Sequence, residues 1–178
     1  GNRVFFRARF PGAGFELGVS DGTSQGTKLV KDIVRGPGGT TILDMVGVNG
    51  RLFFVADDQL RGQELWTSDG SAAGTYLVRD LLPGAGHGVL AGSLARIGAT
   101  SLVVFAASDG ANGLQVWSSD GSANGTRRLG RIGARDGSGA ATLSQFTTLG
   151  STLFFSADDG VFGEELWKLS LVGGNRAF

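Results

Sequence analysis

Acidic side chains at repeated positions are the first residues of this chain with chemistry to offer. Asp57-Asp58 and Asp158-Asp159 stand as pairs before glycine-containing loops, and Asp109 holds the same place in a further copy. Glu64 and Glu165 follow six to seven residues later. Oxygen-rich loops with glycine can hold Ca²⁺, which takes about six to eight oxygens. Asp57, Asp58, Asp158 and Asp159 are therefore the calcium candidates, on weak grounds. No stretch fits the D-x-[DN]-x-[DN]-G loop, and the first copy reads "RARFPG" there, without an acid. No other cofactor is indicated. Asp21, Asp69 and Asp120 each precede a glycine. Their simpler reading is structural: in such a turn aspartate caps nearby backbone amides while glycine takes positive φ.

His87, within "PGAGHG", is the one histidine, and there is no cysteine. That excludes a histidine-rich zinc site, thiolate ligands and a disulfide framework. No G-x-S-x-G nucleophile elbow occurs, and every serine sits in repeat context. No residue is assigned a catalytic role, and His87 reads as an exposed linker residue. The glycine-rich stretches "RGPGGTT" and "ARDGSGAAT" match no phosphate loop. Trp66, Trp117 and Trp167 could stack on sugars, but their place in mid-strand beside leucine favours packing.

The elements that carry these residues repeat about every fifty positions. "VFFRARFPGAGFELGVSDGT" from Val4, "LFFVADDQLRGQELWTSDGS" from Leu52, "LVVFAASDGANGLQVWSSDGS" from Leu102 and "LFFSADDGVFGEELWKLS" from Leu153 align by eye. Glycine supplies 32 of the 178 residues and proline 3, without a collagen period, which predicts many turns between short strands. Each unit parses into four strands. Strand A, such as "TILDMVGV" or "LSQFTTLG", turns at Asn49-Gly50 or its counterpart into strand B, "RLFFVA" or "TLFFSA". The acidic loop leads to strand C, "QELWTS", and the "SDGSAAGT" turn leads to strand D, "TYLVRDL". In "LFF" adjacent side chains point to opposite faces, so both faces of each sheet are apolar and must be buried by neighbours. The fold class is thus all-β and propeller-like, with repeats over 1–36, 37–86, 87–137 and 138–178. The first unit lacks strand A, and the last lacks strand D unless "NRAF" forms it.

Lysine plus arginine equal aspartate plus glutamate at 16 each, which argues against a nucleic-acid partner. No apolar run is long enough to span a bilayer. The opening "GNRVFFRARF" reads as folded structure rather than a leader, so the chain is expected to be a mature product or a piece of something longer.

"ELWTSDGSAAGT" at Glu64 to Thr75 resembles the bacterial repeat family named for its ELWxxDGT pattern. "ELGVSDGTSQGT" is similar with one departure in its first three letters, "VWSSDGSANGT" is similar with Gln115 and Val116 in place of Glu-Leu, and "EELWKLS" keeps the ELW half. Gly18 stands where the other units have tryptophan, which places the first unit at a boundary. The resemblance implies secreted or cell-surface proteins built of propeller-like tandem repeats, with no established enzymatic activity or ligand. The reading that follows is a non-enzymatic extracellular structural or recognition module, presenting loops to a protein or polysaccharide. A carbohydrate-binding propeller is the alternative. The incomplete end units leave open a closed four-bladed ring, self-association, or pairing with further repeats of a parent chain.

Overall fold

The computed structural model describes residues 3–132 and 142–171. Within them the chain forms strands and turns and no helix. The strands are β1 (Val4–Phe10), β2 (Gly14–Ser20), β3 (Lys28–Lys31), β4 (Thr41–Val48), β5 (Arg51–Asp57), β6 (Gln63–Ser68), β7 (Tyr76–Arg79), β8 (Ala95–Arg96), β9 (Val103–Ser108), β10 (Leu114–Ser119), β11 (Arg127–Arg128), β12 (Thr142–Leu149), β13 (Thr152–Asp158) and β14 (Glu164–Ser170). They make four antiparallel meanders in chain order, β1-β2-β3, β4-β5-β6-β7, β8-β9-β10-β11 and β12-β13-β14. The first sheet lacks strand A, as the sequence predicts. The fourth has strands A, B and C, and "NRAF", the candidate for its strand D, lies outside the described residues.

Local chemistry sets the turns. Asn49 and Gly50 have φ of 48° and 77°, the two left-handed residues that a type I′ hairpin between β4 and β5 requires. The third sheet departs from the pattern. Its inner strand is reduced to a bridge between Val89 and Ala107 and the two residues of β8. Between them, Ser93 Oγ accepts the Ala106 amide at 3.0 Å and so replaces the missing ladder bond.

The alternation in "LFF" places one core on each side of an inner sheet. Leu52, Phe54 and Ala56 pack with Leu17, Val19 and Val30 of the first sheet. Phe53 and Val55 point the other way, into a core with Val103, Phe105 and Trp117 of the third. Val104, Ala106 and Val116 then meet Leu153, Phe155 and Leu169 of the fourth. Stacked sheets thus bury what one sheet leaves exposed, at about 25 cal/mol per Å² of apolar area.

Candidate functional site

The repeated polar motif closes upon itself. Asp69 Oδ1 accepts the Ser71 amide and hydroxyl, at 2.8 and 2.7 Å. Ser71 Oγ in turn accepts the Gly74 amide, and Thr75 Oγ1 donates to the Ser71 carbonyl. Ser68 Oγ accepts the Gly70 amide and shares a hydrogen bond with Thr75. The same bonds recur around Asp21 with Thr23 and Thr27, and around Asp120 with Ser122 and Thr126. The Ser71 hydroxyl and amide hold the Asp69 carboxyl below its usual range, and Thr23 and Ser122 do the same for Asp21 and Asp120. The second glycine of the motif, at its seventh place, follows from this closure. A Cβ on Gly74 would lie 2.1 Å from the Asp69 carboxylate. The three aspartates cap their own turns.

The glutamate of the ELW segment has a separate task. Glu16 and Glu64 are fully buried, and each grips the link that leaves its sheet. Glu16 Oε1 accepts the Val34 amide at 3.1 Å and the Thr40 hydroxyl at 2.7 Å. Glu64 Oε1 accepts the Leu82 amide at 3.1 Å. Gln115, at the same place in the third unit, accepts the Ile132 amide and donates to the Ile132 carbonyl, both at 2.7 Å. A Cβ on Gly88 would sit 2.1 Å from Glu64 Oε1, so this link needs glycine to pass. Burial, only partly offset by the Leu81 and Leu82 amides and reinforced by Asp80, pushes the Glu64 carboxyl up to about 7. Burial likewise raises Glu16. Sequence reasoning missed this clamp and grouped Glu64 with the acidic loop. The exchange of glutamate for glutamine at position 115 was the available signal, since an amide keeps the shape of a carboxyl but not its charge.

The calcium candidates are occupied locally. Asp57 Oδ1 accepts the Gln59 amide. Asp58 caps the Leu60 and Arg61 amides and pairs with the Arg61 guanidinium. Burial raises the Asp58 carboxyl, but those amides and Arg61 outweigh it and hold it low. Asp158 and Asp159 accept the Gly160 and Val161 amides. Among the described residues, no three of the acidic or histidine side chains converge as a metal site would need. Glu64 is turned into its clamp rather than the loop. His87 is exposed, and its Nδ1 accepts the Gln63 amide at 3.1 Å. Trp66 and Trp117 lie buried between sheets, and Trp167 packs partly buried in the last core.

Between sheets a set of long side chains donates forward along the chain. Arg3 and Lys31 of the first sheet donate to the Asp69 and Thr75 carbonyls of the second, at 2.8 and 2.7 Å. Tyr76 and Arg79 of the second donate to the Gly121 and Thr126 carbonyls of the third, at 3.2 and 3.3 Å. In the third sheet Gly130 replaces Lys31 and Arg79, and the fourth unit has no S-D-G-[ST] turn to receive such a donor. Clefts open to solvent lie among the described residues. One, of about 250 Å³, lies between the first two sheets beside Arg3, Phe5 and Arg51. The other, of about 300 Å³, is lined by Arg9, Phe10, Pro11 and Pro37.

No family model matches the chain, and no curated protein matches it in sequence. Solved structures do match. A crystal structure of puromycin hydrolase is 19% identical at a TM-score of 0.61, over 99% of this chain and 26% of that one. TolB from Acinetobacter baumannii is 14% identical at a TM-score of 0.55, over 98% of this chain and 40% of that one. A puromycin-hydrolyzing peptidase of Mycobacterium tuberculosis is 14% identical at 0.58, over 99% of this chain and 27% of that one. The sheets are β-propeller blades. At these identities the likeness concerns the blade fold, and the chain spans well under half of each of these structures.

Proposed function

We propose that the chain is a non-enzymatic structural or recognition module of a secreted or surface protein, presenting its loops from a rigid stack of blades. One observation carries this reading. The acids that repeat from blade to blade hold backbone amides of their own turns and links, and so serve the scaffold. What differs between blades is the loop chemistry: "RFPGAG", "DDQLRG", "SDGANG" and "DDGVFG" occupy the same corner. Burial of Trp66 and Trp117 removes the stacking surfaces on which a carbohydrate-binding propeller would draw.

The test is a panel of esterase, peptidase and glycosidase substrates, with cell fractionation of the parent organism alongside. The expected result is no turnover above the buffer rate and recovery outside the cytosol. Turnover abolished by His87→Ala would overturn the non-enzymatic reading, and recovery in the cytosol the location.

A further inference from the structure

The link that Glu16 grips gathers negative charge that the chain does not answer there. Glu16 is fully buried, and its Oε1 accepts the Val34 amide and the Thr40 hydroxyl. Its Oε2 is buried as well and has no hydrogen-bond partner. Asp32 belongs to the same link. Its Oδ2 accepts the Gly36 amide at 3.4 Å, and its Oδ1 is buried without a partner. Asp32 acts on Glu16 as a like charge, while the side chain that hydrogen-bonds to Glu16 is Thr40. The other blades balance this corner with residues of their own. Glu64 and Asp80 repeat the pair at the same spacing, with the same two oxygens buried and unpartnered, but there the Arg61 guanidinium lies 3.7 Å from Asp80 Oδ2. In the third blade Gln115 and Arg131 hold these places, so both acids are gone together, and Gln115 Nε2 donates to the Asn112 and Ile132 carbonyls. In the first blade Ala13 stands at the place of Arg61, and among the described residues no lysine or arginine pairs with Glu16 or Asp32. A buried charge is ordinarily paired or bound to a metal.

We infer that the first blade binds one Ca²⁺ ion between Glu16 Oε2 and Asp32 Oδ1. Two carboxylates neutralise a divalent charge, and both donors are the hard oxygens that this ion takes. Ca²⁺ sits about 2.3–2.6 Å from its oxygens, so it fits between groups too close for a water, whose hydrogen bonds run to about 2.7–2.8 Å. This is a pair of acids rather than a trio. Backbone carbonyls and water on the half-buried Asp32 side supply the other ligands, and the affinity belongs to the weak class of about 10⁻⁴–10⁻³ M. Bound there, the ion ties the link to the first sheet where the chain crosses to the second. This goes beyond the scaffold reading, which holds with or without the ion.

Thermal melts of the chelator-washed chain in rising CaCl2, against NaCl of equal ionic strength, test it. The parent Tm should climb by about 5 °C at about 20 mM CaCl2 and approach saturation. Amide NMR signals of Ile33, Val34 and Gly36 should move with the same midpoint. Glu16→Gln, for which Gln115 is the precedent in this fold, and Asp32→Asn should each fold and melt no lower than the parent in chelator. Both should lose the calcium shift, whereas Glu64→Gln and Asp80→Asn should keep it. A parent Tm that calcium leaves no higher than NaCl does would overturn the inference. So would a shift that survives both first-blade variants, or one that vanishes with Glu64→Gln.

Discussion

At the scale of the residue, the position that separates charge from shape is Glu64. Its carboxyl titrates near 7 in the fold against an ordinary 4.5. Between those values the folded chain binds the extra proton, so stability falls as pH rises through about 7 and is retained below about 4.5. Gln115 shows that a neutral amide satisfies the same place. Glu64→Gln should therefore keep the clamp and remove this part of the pH dependence. Urea midpoints at about pH 6 and about pH 8 read it: the parent should weaken toward the higher value more than the variant. Equal slopes would assign the titration elsewhere. The aspartates were legible from sequence because their partners are two residues away. The clamp was not, because the Glu64 partner lies 18 residues downstream, where the spacing follows the path of the link rather than any local rule.

At the scale of the element, the S-D-G-[ST]-x-x-G-T turn is a unit whose parts cannot be changed one at a time. Gly74→Ala forces its methyl into the Asp69 carboxylate and should cost about 1–3 kcal/mol. In an Asp69→Ala background, where the obstruction is gone, the same change should cost clearly less. A double-mutant cycle by chemical denaturation measures that coupling, and additive costs would refute the steric account. The strands of the second blade match their sequence expectations closely, with "TILDMVGV" forming β4 and "QELWTS" forming β6. The inner strand of the third blade was expected, but its residues were not placed. Between its two short stretches of backbone pairing the hydrogen bonds come from Ser93 and from Asp44, which accepts the Gly92 and Leu94 amides from the neighbouring blade. A side chain that stands in for backbone leaves no alternation to read.

At the scale of the whole molecule, the blades touch their neighbours in sequence and stability is a sum of local terms. Phe53 and Phe54 are adjacent in the chain but fill different interfaces. Phe53→Ala and Phe54→Ala should each cost about 3–5 kcal/mol, and their costs should nearly add in the double variant. Hydrogen exchange of the monomer should also be graded. Amides of β5 and β9, in blades packed on both sides, should exchange more slowly than those of β1 and β14. Uniform protection would mean that the stack opens only as a whole. The period of fifty made this layered arrangement legible. How many blades complete it was not, since curvature arises from how sheets pack across an interface, and no single repeat encodes that.

The side chains that donate forward between blades give the stack a direction, and with it a rule for how such a chain can lengthen. A tandem copy of residues 37–86 brings both an arginine at the end of strand D and the carbonyl that receives one. Spliced in after itself, it would keep that donor and that carbonyl paired. A copy of the fourth unit placed after the second would strand Arg79 without its carbonyl, because that unit has lost the turn. Gene duplication is therefore free to copy the second unit and constrained in placing the fourth after it.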